Sequence, residues 1–204
     1  MIAVVTGGSG GLGRALCAEL EGRGYEVRSW SRRDGVDAAD EKAIAAAAAE
    51  LASWEVLVNN AAILVPKTVV ETSLEEWSAT LAAGLTAAFL CSREAFRRMR
   101  PGGVIVNVSS LSGVRDAEKF PGMAAYVAAK SGLAGLTEAL AVEGRELGIR
   151  VNAVSPGSID TPMLALSGAP REPSLKPVQV ARLIGWLASP ESAPLTGANL
   201  RIDP

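Results

Sequence analysis

Short, continuous apolar runs alternate along the chain with longer stretches of helical periodicity. Ile2–Thr6, Tyr25–Trp30, Glu55–Val58, Val104–Val108, Ile149–Val154 and Ala198–Ile202 read as strands. Between them Leu12–Gly22, Glu41–Leu51, Leu74–Met99, Gly122–Leu147 and Val178–Leu187 read as helices, the second opened by an Asp40 cap. Strands apolar throughout have both faces covered, because a half-solvated strand alternates. The alternation therefore predicts an α/β fold: one doubly wound, Rossmann-type parallel sheet with helices on both faces. No repeat or linker splits the chain, so residues 1–204 read as a single domain, with Ser167–Pro177 as a Pro-rich loop.

Composition narrows the chemistry. With 49% apolar and 21% charged residues, a chain of 204 can bury a core without metal or disulfide. Twenty basic residues face 22 acidic ones, which lacks the charge footprint of a nucleic-acid binder. No apolar run reaches the roughly 18 residues of a membrane span. A strand beginning at Ile2 leaves no room for a signal peptide, and Cys17 and Cys91 are isolated thiols, so a reducing, cytoplasmic setting is expected. Histidine is absent, which removes imidazole bases, serine–histidine triads and His-based metal sites; no metal site is expected. Acid–base work falls to Tyr, Lys, Asp, Glu or Cys.

Two constellations carry chemistry. The first strand runs into Thr6-Gly7-Gly8-Ser9-Gly10-Gly11-Leu12-Gly13, whose Gly7, Gly11 and Gly13 open a helix. A glycine turn lets backbone approach a pyrophosphate, and the helix N-terminus supplies N–H donors and partial positive charge. At the end of the second strand stands Trp30-Ser31-Arg32-Arg33, with no carboxylate before Asp34. Arg there accommodates a ribose 2′-phosphate, which favours NADP(H) and leaves NAD(H) possible. Arg14 reaches a phosphate or faces water. The second constellation is Tyr126-Val127-Ala128-Ala129-Lys130, which puts a phenol and an ammonium on one helix face. An ammonium nearby favours the phenolate and is expected to lower the phenol pKa, fitting it for alcohol–carbonyl interconversion. Upstream, Ser109-Ser110-Leu111-Ser112-Gly113 follows the Val104–Val108 strand at its carboxyl end, where open parallel sheets bind ligands. A serine hydroxyl there can bond a carbonyl oxygen as charge builds on it.

Taken together, these residues resemble the short-chain dehydrogenase/reductases over nearly the whole chain. TGGSGGLG fits the cofactor loop of that family; Asn59-Asn60-Ala61-Ala62 is similar to its Asn-Asn-Ala-Gly segment with Ala62 in place of Gly; Asn152, Pro156-Gly157 and Thr161-Pro162 match the stretch after its sixth strand. The resemblance implies a sheet order of 3-2-1-4-5-6-7. It implies Ser110, Tyr126 and Lys130 as the catalytic residues, with Ser steadying the substrate oxygen, Tyr transferring the proton and Lys tuning it. Cofactor contacts are implied at Gly7, Ser9, Gly11, Leu12, Gly13, Ser31, Arg32, Asp37, Asn59, Ala61, Tyr126, Lys130, Pro156, Gly157, Ile159 and Thr161.

Three features depart from the family pattern. Gly84 stands where an Asn usually joins the proton relay. Arg33 and Asp37 are too close for the usual helix between them, so that helix is expected to be missing and the third strand vestigial. Residues 163–177 form a short substrate loop, implying an open site or one closed by a partner subunit. The expected function is hydride transfer between NADP(H) and a small carbonyl or alcohol; the alternative is a weak or inactive NADP(H)-binding regulator on the same fold. Substrate contacts are expected from Leu111–Ala125 and Met163–Pro177, with Arg115 and Arg171 as the available anion clamps. The two long helices are expected to pair between subunits as a homodimer or homotetramer, with no nucleic-acid or membrane partner.

Overall fold

The computed structural model describes residues 1–168 and 172–203. Its elements run β1 (Ile2–Thr6), α1 (Gly11–Gly22), β2 (Glu26–Trp30), α2 (Glu41–Ala49), β3 (Val56–Asn59), α3 (Leu74–Leu81), α4 (Ala87–Arg98), β4 (Val104–Val108), α5 (Ala124–Leu147), β5 (Arg150–Pro156), α6 (Pro162–Ser167), α7 (Pro177–Ala188) and β6 (Asn199–Ile202). The strands form one parallel sheet in the order β2-β1-β3-β4-β5-β6. This is the doubly wound α/β architecture expected. The order in which strands are added reverses at β1, with β2 on one side and β3 on the other, which opens a crevice beyond the strands' carboxyl ends.

The layers follow from the apolar strands. One cluster packs Val4, Leu57 and Ile105 of the sheet against α2, α4 and α5 through Ile44, Ala48, Cys91 and Leu140. The other packs Val5, Val58 and Val106 against α1 and α7 through Leu16, Leu20, Ile184 and Leu187. Alternate residues of each strand thus feed opposite layers. Local signals hold at the helix starts: Asp40 accepts from the Lys42 and Ala43 amides, and Ser73 and Glu76 form a reciprocal capping box on α3.

One departure is met and two expectations change. The outer third strand of the 3-2-1-4-5-6-7 order, expected to be vestigial, is absent among the described residues, and β2 is the sheet edge. After β2 the chain makes only a 3-10 turn at Arg32–Asp34 and a left-handed Gly35 before α2. A crossover to another parallel strand needs about a dozen residues or more, and residues 31–40 do not supply them. The Leu74–Met99 helix is interrupted: α3 and α4 are joined by a π-helical turn at Ala82–Thr86 with Gly84 buried inside it. A glycine in a helix interior weakens the regular ladder, and such wide turns recur at functional sites. The stretch following Thr161 holds a short helix, α6, that begins on Pro162, whose fixed φ suits a first helical position.

Candidate active site

Gly13 is where sequence dictates geometry most strictly. A Cβ there would lie 2.1 Å from the Gly7 carbonyl oxygen, so the turn between β1 and α1 closes only around glycine. No side chain caps α1 at Gly10, which leaves the first-turn N–H groups facing the crevice rim. The turn is held from β3: the Thr6 hydroxyl accepts from the amides of Asn60 and Ala61 at 2.9 and 3.0 Å, and the Asn60 amide donates to the carbonyls of Thr6 and Gly7 at 3.0 and 3.2 Å.

Beyond β4, Ser110 opens a 3-10 turn with its hydroxyl accepting from the Ser112 amide. That turn lies directly on α5. A Cβ on Gly113 would stand 2.5 Å from the Lys130 carbonyl carbon, and Ser109 Oγ donates to the Lys130 carbonyl at 2.9 Å. Small residues thus lock Ser110 against the helix turn that bears Tyr126 and Lys130. The Lys130 ammonium sits 5.6 Å from the Tyr126 ring centre and donates to the Val108 carbonyl at 2.6 Å. Lys130 is 2% exposed, whereas Tyr126 is partly accessible from the crevice.

Burial governs both groups. It pushes the Tyr126 phenol up to about 12, against a downward pull from a hydrogen bond with Ser110. It brings the Lys130 ammonium down to about 8. The sequence suggested a phenol acidified by its neighbour; the resolved shift runs the other way. The low-dielectric surroundings disfavour the phenolate, and the ammonium is directed at a backbone carbonyl instead.

These residues line one cavity of about 1240 Å³ above the carboxyl ends of the strands. Gly7, Ser9, Gly11, Leu12 and Gly13 line it from the β1–α1 turn, Ser31, Arg32 and Asp37 from beyond β2, and Ala61 from beyond β3. Ser110, Tyr126 and Lys130 line it from β4 and α5, and Pro156, Gly157, Ile159 and Thr161 from beyond β5. Asn59 is the exception. It is buried below the cavity, where its amide donates to Asn107 Oδ1 at 2.8 Å and Ser92 Oγ at 3.1 Å, while Asn60 takes the place at the wall. At the end of a buried strand, alternation sends one Asn of the pair into the helix layer and the next toward the ligand side.

Phe120 and Met123 line the cavity from within the expected contact stretch Leu111–Ala125, whereas Ile63 and Leu64 after β3 and Ala79, Ala82 and Ala83 of the α3 region add an apolar wall that the sequence did not point to. Gly84 inside a helical pattern was the one signal of that region's interruption. Arg115 does not line the cavity, and Arg171 lies outside the described residues. Among the described residues no cluster could hold a metal ion, and no helix is long and apolar enough to cross a membrane.

The family model described as enoyl-(acyl carrier protein) reductase matches residues 35–204. Trans-4-hydroxycyclohexanecarboxylate dehydrogenase of Sinomonas cyclohexanicum is 38% identical over 201 residues, covering 95% of this chain and 72% of that protein. The chain belongs to the short-chain dehydrogenase/reductase family. As a member of that family it is an oxidoreductase that works with a nicotinamide cofactor. Acetoacetyl-CoA reductase of Allochromatium vinosum is 33% identical over 240 positions, covering 99% of this chain and 96% of that protein. That alignment is longer than the 204 residues present here, so the relative carries residues with no counterpart in this short-chain dehydrogenase/reductase. Among solved structures, BdcA in complex with NADPH superposes with a TM-score of 0.90 at 30% identity, covering 99% of this chain and 92% of that one. A short-chain dehydrogenase from Burkholderia cenocepacia J2315 in complex with NADP gives 0.86 at 30% identity, covering 99% and 96%.

Proposed function

We propose that the chain is an NADP(H)-dependent reductase of carbonyl compounds that works through Ser110, Tyr126 and Lys130. The observation that carries this reading is that one cavity gathers those three side chains with the glycine turn and Arg32 and Arg33 from the turn after β2.

The walls fit a phosphorylated dinucleotide. The β1–α1 turn offers uncapped N–H groups for a pyrophosphate. Arg32 and Arg33 line the cavity past β2, while Asp34 is outside its lining, its carboxylate accepting from the hydroxyls of Ser29 and Ser31. Those hydrogen bonds hold Asp34 below its ordinary carboxylate range, so it stays charged and tied to its serines. Asp37 lines the adenine side with its carboxylate accepting from the Ala39 amide. The nicotinamide, when bound, supplies the hydride to the carbonyl carbon or takes it back from the alcohol.

The protein's own groups handle the oxygen. The Ser110 hydroxyl donates to the carbonyl oxygen as negative charge grows there. Tyr126, a neutral phenol through the whole neutral range, passes its proton to that oxygen, which is more basic than a phenolate once the carbon has gained hydride. Lys130, mostly protonated at neutral pH, offsets the phenolate left behind. The phenolate then regains a proton from solvent, which balances the reduction.

Replacing Tyr126 by Phe lowers kcat for NADPH-linked ketone reduction about 100-fold or more while NADPH still binds. A variant within threefold of the parent sinks the mechanism. NADPH binding with no oxidation across a broad carbonyl panel favours the regulator reading instead. The chain acts as a homodimer or homotetramer on the same reading. Phe89 on α4 and Val142 on α5 are 44% and 61% exposed and make apolar faces for a second copy. Light scattering that finds only a 21.0 kDa species excludes it.

A further inference from the structure

Resting on that reading, we propose that Asp34 and Ser29 are positioning residues for a 2′-phosphorylated cofactor: the Asp34 carboxylate, tied back to Ser29 of β2 and to Ser31, holds the Arg32-Arg33 turn toward the cavity. The turn has little else to hold it. β2 is the sheet edge, and between it and α2 the chain makes only the 3-10 turn at Arg32–Asp34. Its main chain closes on one group, the Ser31 carbonyl, which accepts from the Asp34 and Val36 amides at 2.9 Å each. Two adjacent guanidiniums at its tip repel each other, and each side chain has many rotamers to lose.

The carboxylate of Asp34 could pair with one of those arginines. Its Oδ2 instead accepts from Ser29 Oγ at 2.6 Å and from Ser31 Oγ, and among the described residues Arg32 and Arg33 take part in no salt bridge. Both arginines line the cavity, and Asp34 lies outside the lining. The Ser31 proton is committed to Asp34, so recognition of a phosphate on this side falls to the two guanidiniums. Ser29 reaches the glycine turn as well. A Cβ on Gly8 would stand 2.4 Å from Ser29 Oγ and 3.1 Å from Cys17 Sγ, so that hydroxyl fills the space beside Gly8. One hydroxyl thereby stands between the Asp34 carboxylate and the β1–α1 turn, which fixes the spacing of the two turns that a phosphorylated dinucleotide would span.

The test titrates the full chain with NADPH and with NADH by fluorescence and reads a dissociation constant for each. Asp34→Ala is expected to weaken NADPH about threefold and to leave NADH within about 1.5-fold, since only the 2′-phosphate uses the arginines. Charge alone predicts the opposite sign, because a carboxylate near the phosphate is gone and the Ser31 hydroxyl is released to donate. NADPH affinity equal to the parent's or tighter in Asp34→Ala therefore overturns the proposal, and so does an equal loss for both cofactors, which would make the turn a general prop of the fold. Asp34→Asn, whose amide oxygen still accepts from both serines, is expected to keep at least the parent's NADPH affinity; a loss as large as that of Asp34→Ala overturns the hydrogen bonds as the cause. Ser29→Ala keeps the charge and removes one bond, and is expected to weaken NADPH alone by about twofold; no change overturns the part given to Ser29. A parent chain that binds NADH more tightly than NADPH overturns the NADP(H) reading itself.

Discussion

Where the cavity passes over β1 and β2 its wall combines the glycine turn with Arg14, Arg32 and Arg33; where it passes over β4 and α5 the wall includes Leu111, Phe120, Met123, Tyr126 and Lys130. The first end tolerates almost no change of shape, because atoms of the turn itself stand within 2.1 Å of any added Cβ on Gly13. The second end is apolar packing, which accepts exchange of similar volumes. Backbone-built recognition is therefore invariant in geometry and serves the part of the reaction common to all substrates. A wall built from side chains can vary without disturbing the sheet beneath it, and on the proposed function it is the part that selects the carbonyl compound.

The sharpest way to break this comparison is Gly13→Ala. The added carbon meets the Gly7 carbonyl, a backbone atom that cannot swing aside, so a loss of about 2 kcal/mol or more in stability and at least about tenfold in NADPH affinity is expected. Thermal melts and NADPH fluorescence titration read both, and a variant that matches the parent in each removes the basis for calling that end rigid.

The next effect in size comes from the tyrosine end. Burial depresses Lys130 to about 8 in the folded chain, below the ordinary 10.5 of the unfolded one. Between those values the unfolded chain binds the extra proton, so stability rises with pH across roughly 8 to 10.5. The gain is on the order of 2 kcal/mol, and Lys130→Met abolishes it. Tyr126, raised to about 12 from 10, acts oppositely and erodes stability above about pH 10. Urea melts of parent and variant at pH 7.5 and 10 check this; equal slopes in the two proteins contradict it.

The smallest expected change tests the polar rim of the dinucleotide end. Arg32→Ala raises the KM for NADPH about fivefold and moves that for NADH less than twofold, because a 2′-phosphate loses a charge-assisted partner that a 2′-hydroxyl does not need. Equal shifts for the two cofactors would mean that Arg32 serves both alike.

Legibility of the sequence follows the same division. The central strands were readable to within a few residues because burial on both faces leaves apolar runs, and Asp40 marks the start of α2. The glycine turn and the Tyr126–Lys130 spacing were readable because each depends on a local backbone relation. What was not readable depended on neighbours remote in the chain. The break at Ala82–Thr86 lies inside a pattern that is helical on both sides. Which of Asn59 and Asn60 faces the cavity depends on the residue at which β3 ends. The direction of the Tyr126 shift depends on how much of the phenol the fold withdraws from water.

By itself, then, the sequence determined the layered α/β architecture, the place of the glycine turn between β1 and α1 and the shortage of acid–base groups that leaves a tyrosine as the proton donor candidate. These rest on periodicity, on sterically unique glycines and on the absence of histidine, all local or additive properties. Only the tertiary structure decided that the helical stretch before β4 breaks at Ala82–Thr86, that Lys130 directs its ammonium to the Val108 carbonyl, and that Leu111, Phe120 and Met123 share one side of the cavity while Arg14, Arg32 and Arg33 gather at the other. Burial, dielectric environment and the meeting of side chains from separate strands exist only once the sheet has formed, and no spacing along the chain encodes them on its own.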